Sequence, residues 1–309
     1  MLRRVLLSAA GSDRIKAAVV RAPFSRGVVN RFVAGDHVDD AIVASRQLVA
    51  HGLLVSIDRL GEATTDAAQA QATTDAYVAL LKTIADAGLA EFAEVSLKLS
   101  SLGQALDVDG EQIALDHART VCAAATAANT TVTLDMEDHT TTDATLAALH
   151  ALHLDFPGVG AVLQAYLRRT EGDCRDLAGD GSRIRLCKGA YREPASVAYQ
   201  DRADVDLSYV RCLRVLMHGS GYPMVATHDP RLVAIAAAMA LQAGRERGEY
   251  EYQMLFGVRP DEQRRLASKG EKIRVYLPYG TQWYPYLTRR LAERPANVAF
   301  FLRAVTTKG

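Results

Sequence analysis

The chain has few of the features that mark secreted, membrane-spanning or nucleic-acid-binding proteins. Its 309 residues include four cysteines, Cys122, Cys174, Cys187 and Cys212, with no CxxC pair and no zinc spacing. That pattern argues against a disulfide framework and a structural zinc site, and leads us to expect reduced thiols in a cytoplasmic protein. The 36 basic and 36 acidic residues cancel, whereas nucleic-acid binding needs a positive excess, so no nucleic-acid partner is expected. No apolar run is long enough to span a bilayer. The start, MLRRVLLSAAGSDRIK, has a basic pair and a short apolar run, but charge returns at Asp13 and Arg14. It reads as a helix rather than a secretory signal. A Gly-rich dinucleotide fingerprint is missing, as are low-complexity tracts and any linker rich in Gly, Pro or Ser.

What is present is a regular alternation. Short runs rich in leucine and β-branched residues read as strands: LLVSID (53–58), EVSLKLS (94–100), TVTLDME (131–137), VGAVLQAY (159–166), RIRLCKG (183–189), PMVATH (223–228), YEYQML (250–255) and KIRVYL (272–277). Ala-rich amphipathic stretches lie between them, for example 64–88, 111–129, 141–152, 205–219 and 231–247. Eight such units in roughly 240 residues match the size of a (βα)8 barrel of the TIM type. An open doubly wound sheet is the second reading, but Arg59-Leu60-Gly61-Glu62 after the first strand is not its phosphate turn. Residues 1–50 read as a helical segment packed on the outside of a barrel formed by 51–309.

Active sites of such barrels form at the C-terminal ends of the strands. Nearly every strand here carries a polar group near that end: Asp58, Lys98, Asp135, Gln164, Lys188, His228, Gln253 and Tyr276. Buried parallel strands are normally almost wholly apolar, and such groups are costly unless paired or used. Lys98 lies among apolar neighbours in VSLKLS. It is either paired with a carboxylate, for which Asp135 on the next strand is a candidate, or a Schiff-base nucleophile. Arg185 lies mid-strand in RIRLCK and must face something anionic or electron-rich. Asp135 and Glu137 share a strand face, but no second cluster of His or Cys accompanies them, so no metal is expected. His150 and His153 read as surface residues of a helix.

Beyond the last strand, a turn at Pro278 and Gly280 leads into a helix with Arg289, Arg290 and Glu293 within about one turn. Two guanidiniums beside one carboxylate suit a zwitterion such as a free amino acid. Taken alone, such a pattern more often marks a solvated, salt-bridged helix face.

In order, VSLKLSSLG, TLDMEDH, VLQAYLRR, RIRLCKGAYRE, ATHDPRL, YEYQMLFGV and RVYLPYG…YLTRRLAERPAN resemble the successive motifs of proline dehydrogenase, from about residue 53 to 303. The stretch Trp283-Tyr284-Pro285-Tyr286 resembles the short monofunctional bacterial branch, and with no aldehyde-dehydrogenase domain following, the chain is unlike the bifunctional fusions.

The resemblance implies a distorted (βα)8 barrel with extra N-terminal helices and the last helix over the barrel mouth. FAD at the strand ends would oxidise L-proline to Δ1-pyrroline-5-carboxylate, the first step of proline breakdown to glutamate. The electrons would pass to a quinone, with peripheral contact at the membrane. It also implies roles for single residues. Lys98, Arg289 and Arg290 would meet the substrate carboxylate, Asp135 would pair with Lys98 beside the flavin, and Tyr276 would close the pocket with Tyr191, Leu255 and Tyr286 packed around it. Arg185 would aim at flavin N5. Gln164, Lys188, Gly189, Ala190, Thr227, His228 and Gln253 would contact the cofactor, as would Glu293. Arg192 stands where the bifunctional branch carries an aromatic residue, which puts the adenine-end contacts in question. A lysine aldolase on the same fold and a non-catalytic amino-acid-binding protein are the rival functions.

Overall fold

The apolar runs form eight strands: β1 Leu54–Arg59, β2 Ala93–Leu97, β3 Val132–Leu134, β4 Gly160–Gln164, β5 Arg183–Cys187, β6 Tyr222–Ala226, β7 Glu251–Leu255 and β8 Ile273–Tyr279. The structure is a computed structural model. It describes residues 25–61 and 63–293, apart from the side chains of 25–28 and 289–293. The strands close into a barrel in sequence order, β1-β2-β3-β4-β5-β6-β7-β8. Every pairing is parallel, and β8 returns to β1 with Ser56 opposite Tyr276.

Ten α-helices are described: α1 Ser25–Phe32, α2 Val38–Val49, α3 Ala67–Asp86, α4 Gly110–Ala127, α5 Thr142–His153, α6 Thr170–Asp176, α7 Arg202–His218, α8 Pro230–Gln242, α9 Pro260–Ser268 and α10 Tyr284–Glu293. Local sequence sets where several begin. The carboxylates of Asp66, Asp201 and Asp229 accept from the backbone N–H groups of Gln69, Ala203 and Arg231 at the starts of α3, α7 and α8. Each such cap stabilises its helix by about 1 kcal/mol. The outward faces of the strands, among them Val55, Ile57, Val95, Leu97, Val132 and Leu134, bury against this helical layer.

Strands β2 and β3 are shorter than their sequence patterns. Lys98 begins a 3-10 turn, Leu99–Leu102, closed by Gly103 in the left-handed region. Asp135 follows the last residue of β3, and its N–H still donates to the Leu97 carbonyl at 2.8 Å. Both chemically interesting side chains therefore stand where the backbone leaves the sheet.

The eighth helical position is filled from the other end of the chain. Ala41, Ile42 and Ala44 of α2 bury in the main core, against β1 and β8. Helix α10 instead lies over the mouth, where Trp283, Tyr284, Tyr286 and Leu287 pack with Leu60, Val258 and Tyr276. Val29, Phe32 and Val33 of α1 and its end complete that cover. The approach of α1 demands glycine at position 257. Its φ is +71°, and the Arg31 carbonyl occupies the space a Cβ would need.

Candidate active site

Period-two alternation points one set of residues from each strand into the barrel. On β1 these are Ser56 and Asp58, on β2 Glu94 and Ser96, on β5 Arg183 and Arg185, on β7 Glu251 and Gln253, and on β8 Arg274 and Tyr276. They are polar, and most are nearly inaccessible to solvent. Burial on this scale is tolerable only with full pairing, and the interior provides it.

Arg185 is the hub. Its Nη1 donates to Asp135 Oδ1 at 2.7 Å and to Ser96 Oγ at 3.0 Å. Its Nη2 donates to Ser56 Oγ at 3.1 Å and to Glu94 Oε1 at 3.4 Å. Its Nε donates to the side-chain oxygen of Gln253. These partners account for all five N–H groups of a guanidinium. The Tyr276 ring lies over it at 5.3 Å. The expectation that this mid-strand arginine faces anionic and electron-rich groups is met by Asp135, Glu94 and that ring.

Asp135 joins three side chains. Besides Arg185 it accepts from the Tyr276 hydroxyl at 2.6 Å, and its Oδ2 lies 3.5 Å from Lys98 Nζ. The nearer partner of Lys98 is Asp58, with both carboxylate oxygens at 3.0 Å. The Lys98–Asp135 pair is thus present but secondary. Asp58 had stood out only as a polar strand end, although its parity with Ser56 marks it as inward-facing. Burial would lower the Lys98 pKa, but Asp58 and Asp135, with Tyr191, outweigh it and raise it above the ordinary lysine value. Lys98 is therefore a held ammonium. Burial first, then Asp135 and Asp58, push the Tyr276 phenol far above its usual range, so it remains a donor.

Below this level lies a second ion cluster. Glu94 accepts from Arg183 at 2.7 Å, from Ser56 and Thr133 at 3.1 Å each, and lies 3.8 Å from Arg274. Arg274 pairs with Glu251 at 2.7 Å. Burial alone would raise the Glu94 pKa, yet Arg274, Arg183 and Arg185 lower it to about 2. Sequence reading missed Glu94, Ser56, Ser96, Arg274 and Glu251. The polar residues at 94, 96 and 98, two apart in an otherwise apolar run, were the available signal.

Asp135 and Glu137 do not converge. Glu137 turns to Ser100, accepting from its hydroxyl at 2.8 Å, and burial raises its pKa against the opposing pull of Ser100 and Lys98. Among the described residues, no group of His, Cys, Asp or Glu could hold a metal. His150 is exposed, whereas His153 is half-buried and bonded to the Val159 carbonyl at 2.8 Å, a correction to its reading as a surface residue.

The remaining expected contacts are distributed around the mouth. Gln253 donates to Glu251 at 2.6 Å while holding Arg185. Gln164 donates to the Glu137 carbonyl at 2.6 Å. His228 Nε2 accepts from the Leu255 N–H at 2.9 Å, and Thr227 Oγ1 accepts from the Asp229 N–H at 3.1 Å. Lys188 leaves the network, bonding Asp206 at 2.5 Å and Asp229 at 3.3 Å. It has the opposite strand parity to Arg185. Gly189 has φ +106°, and the Tyr166 ring occupies the space of its missing Cβ. Tyr166 in turn donates to Glu193, which also accepts from the His139 N–H at 2.9 Å, so the loops after β3, β4 and β5 are tied together. Ala190 and Tyr191 are half-buried beside Gly189, Leu255 ends β7, and Tyr286 belongs to the mouth cover. The side chains of Arg289, Arg290 and Glu293 lie outside the described ones; their backbone belongs to α10.

Comparison with known proteins adds an independent line. A family model described as proline dehydrogenase matches residues 41–303. The chain is 41% identical over 280 residues to a proline dehydrogenase of Deinococcus radiodurans, covering 90% of each. It is 36% identical over 308 residues to proline dehydrogenase 1 of Bacillus subtilis, covering 100% of each. Among solved structures it resembles proline utilization A of Bdellovibrio bacteriovorus inactivated by N-propargylglycine, with a TM-score of 0.80 and 25% identity. The match covers 87% of this chain and 33% of that much longer one. A charged, fully paired barrel interior under a helical cover, and relatives that match it almost end to end, lead to one assignment: the chain belongs to the proline dehydrogenase family.

Proposed function

We propose that the protein is an FAD-dependent proline dehydrogenase that oxidises L-proline to Δ1-pyrroline-5-carboxylate and passes the electrons to a quinone. This would be the first step in converting proline to glutamate. The observation that carries the reading is the cluster of Lys98, Asp135, Arg185 and Tyr276 at the strand ends, in a chain of this family.

The residues fit a flavin. The Arg185 guanidinium stands inside the barrel, held by the side-chain oxygen of Gln253 on β7, and Gln164 ends β4 with its amide on the Glu137 carbonyl. At Gly189 the backbone turns through the left-handed region, with the Tyr166 ring packed against it. Asp135, Arg185, Lys188, Gly189, Ala190, Thr227, His228, Gln253, Gln164 and Glu293 are the proposed contacts. Because Arg185 spends its five N–H groups within the protein, it would act there mainly as a fixed charge. A bound flavin would supply the two-electron acceptor, and fixed cations beside an acceptor favour its reduction.

The chain's own residues orient the substrate. Arg289 and Arg290 would hold the proline carboxylate, each offering the planar fork that matches it. Lys98, already clamped by Asp58, adds charge rather than new bonds. Tyr276, Tyr191, Leu255 and Tyr286 would enclose the ring, and α10 would exclude water. A neutral secondary amine can release hydride as its iminium forms, so no strong general base is required.

The raised pKa of Lys98 counts against the aldolase alternative, which needs a free amine. A quinone partner implies contact with a membrane surface, and no described helix is long and apolar enough to cross one. We infer a cytoplasmic protein that salt, rather than detergent, releases from membranes.

A visible spectrum tests the proposal. Purified protein should be yellow, lose that absorbance on anaerobic addition of L-proline, and release free FAD on denaturation. Colourless protein that neither binds added FAD nor oxidises proline would leave only the amino-acid-binding reading.

A further inference from the structure

We propose that Glu94 is a positioning residue for Arg185: it holds the guanidinium on the barrel axis, supplies its lower counter-charge, and so tunes the electron affinity of a flavin bound at the mouth. The potential half of this rests on the flavin reading above; the positioning half does not.

Arg185 is held between two carboxylates, Asp135 at 2.7 Å and Glu94 at 3.4 Å. They differ in what else they do. Asp135 also meets Tyr276 and Lys98 at the mouth, where a ligand would bind. Glu94 faces only the interior, and its side chain is almost wholly buried. It also anchors the hydroxyls that hold Arg185. Ser56 Oγ donates to Glu94 Oε1 at 3.1 Å, and Ser96 and Ser56 are 2.9 Å apart. With Ser56 committed to Glu94, the Ser96 hydroxyl must donate to Ser56. Both oxygens then accept from Arg185, at 3.0 and 3.1 Å. Three of the five Arg185 bonds therefore run to Glu94 or to this relay. Glu94 itself cannot swing away, because Arg183 holds its other oxygen at 2.7 Å and Thr133 holds the first at 3.1 Å.

Removing this one charge leaves Arg183, Arg185 and Arg274 facing Asp135 and Glu251. A more positive interior stabilises a reduced acceptor more than an oxidised one. At roughly 10 Å and an effective dielectric near 20, one charge is worth about tenfold in the ratio of their affinities.

Two readouts separate the parts. In the protein freed of flavin, hydrogen exchange of the Arg185 Nη–H groups is followed by NMR, with Arg185→Lys giving the assignment. Wild type should exchange slowly, Glu94→Gln at least ~10-fold faster, and Glu94→Asp close to wild type. In the flavin-loaded protein, Glu94→Gln should raise the flavin midpoint potential by about tenfold in K, ~30 mV for a two-electron couple. Arg183→Met breaks the shortest ion pair of Glu94 but removes a positive charge, so it should lower the potential or leave it unchanged. A rise of similar size in Arg183→Met would mean that Glu94 acts only through packing, and would overturn the electrostatic half. Unchanged exchange in Glu94→Gln would overturn positioning, and so would fast exchange in the wild type, even if the variant failed to fold. Absence of flavin binding in the wild type refutes the proposed function, while the exchange result still decides the role of Glu94.

Discussion

Replacing Asp58 with Asn removes the main partner of a buried ammonium while keeping its shape. Both Asp58 oxygens lie 3.0 Å from Lys98 Nζ, the Asp58 side chain is 1% exposed and that of Lys98 15%. At that distance and an effective dielectric of about 20, the Coulomb attraction is on the order of 5 kcal/mol. Breaking a buried pair from one side costs roughly 3–5 kcal/mol, because the other charge is left behind. Asp135, 3.5 Å away, gives Lys98 a second partner, so we expect the lower end, about 3 kcal/mol. Urea unfolding would measure this in wild type, Asp58→Asn, Lys98→Met and the double variant. The double variant should be more stable than Asp58→Asn alone, because it removes the orphaned charge, with a coupling of at least ~2 kcal/mol. The pH dependence has a definite sign. The Lys98 pKa is raised above 10.5 in the folded protein. Its contribution is therefore complete below about pH 10.5 and is lost as pH rises through the higher folded value. The advantage of wild type over Asp58→Asn should narrow in that range. A loss under ~1 kcal/mol, with coupling below ~0.5 kcal/mol, would refute the claim that Asp58 holds Lys98 as a charged group.

Replacing Arg289 or Arg290 with Met should lower kcat/KM for proline by ~30-fold to ~1000-fold if the pair clamps the carboxylate, and steady-state kinetics on flavin-loaded variants would decide it. Gly189→Ala should cost more than ~1 kcal/mol in urea unfolding, since alanine disfavours a φ of +106° and its Cβ would strike the Tyr166 ring. Glu137→Gln should be more stable than wild type at pH 7. Burial raises the folded pKa of this carboxyl, so its contribution is present below the unfolded value of about 4.5 and lost as pH rises through the folded one; the gain should vanish in acid, and thermal melts from pH 4 to 8 would show it.

The eight strands, the barrel and the class of site were legible because each depends on local pattern. Apolar runs of strand length, separated by amphipathic stretches, specify βα units whatever lies far along the chain. Asp66, Asp201 and Asp229, just before helical pattern, mark helix starts by chemistry confined to three residues. Polar groups near successive strand ends pointed to the mouth.

Partner choice was not local. Asp58 lies on β1 and Asp135 just after β3, the two strands that flank β2, and no local rule prefers either for Lys98. The stagger of the barrel decides it, with β1 running far enough beside β2 to bring both Asp58 oxygens onto the ammonium. The five partners of Arg185 come from β1, β2, β7 and the end of β3, and lie 50 to 129 residues from it in sequence. Only closure of the barrel brings them around one guanidinium. The placement of α2 beside β8, and of α10 over the mouth, likewise depends on apolar surfaces assembled from segments far apart in sequence. Short-range patterning determined which residues face inward, and barrel closure and register determined which of them meet.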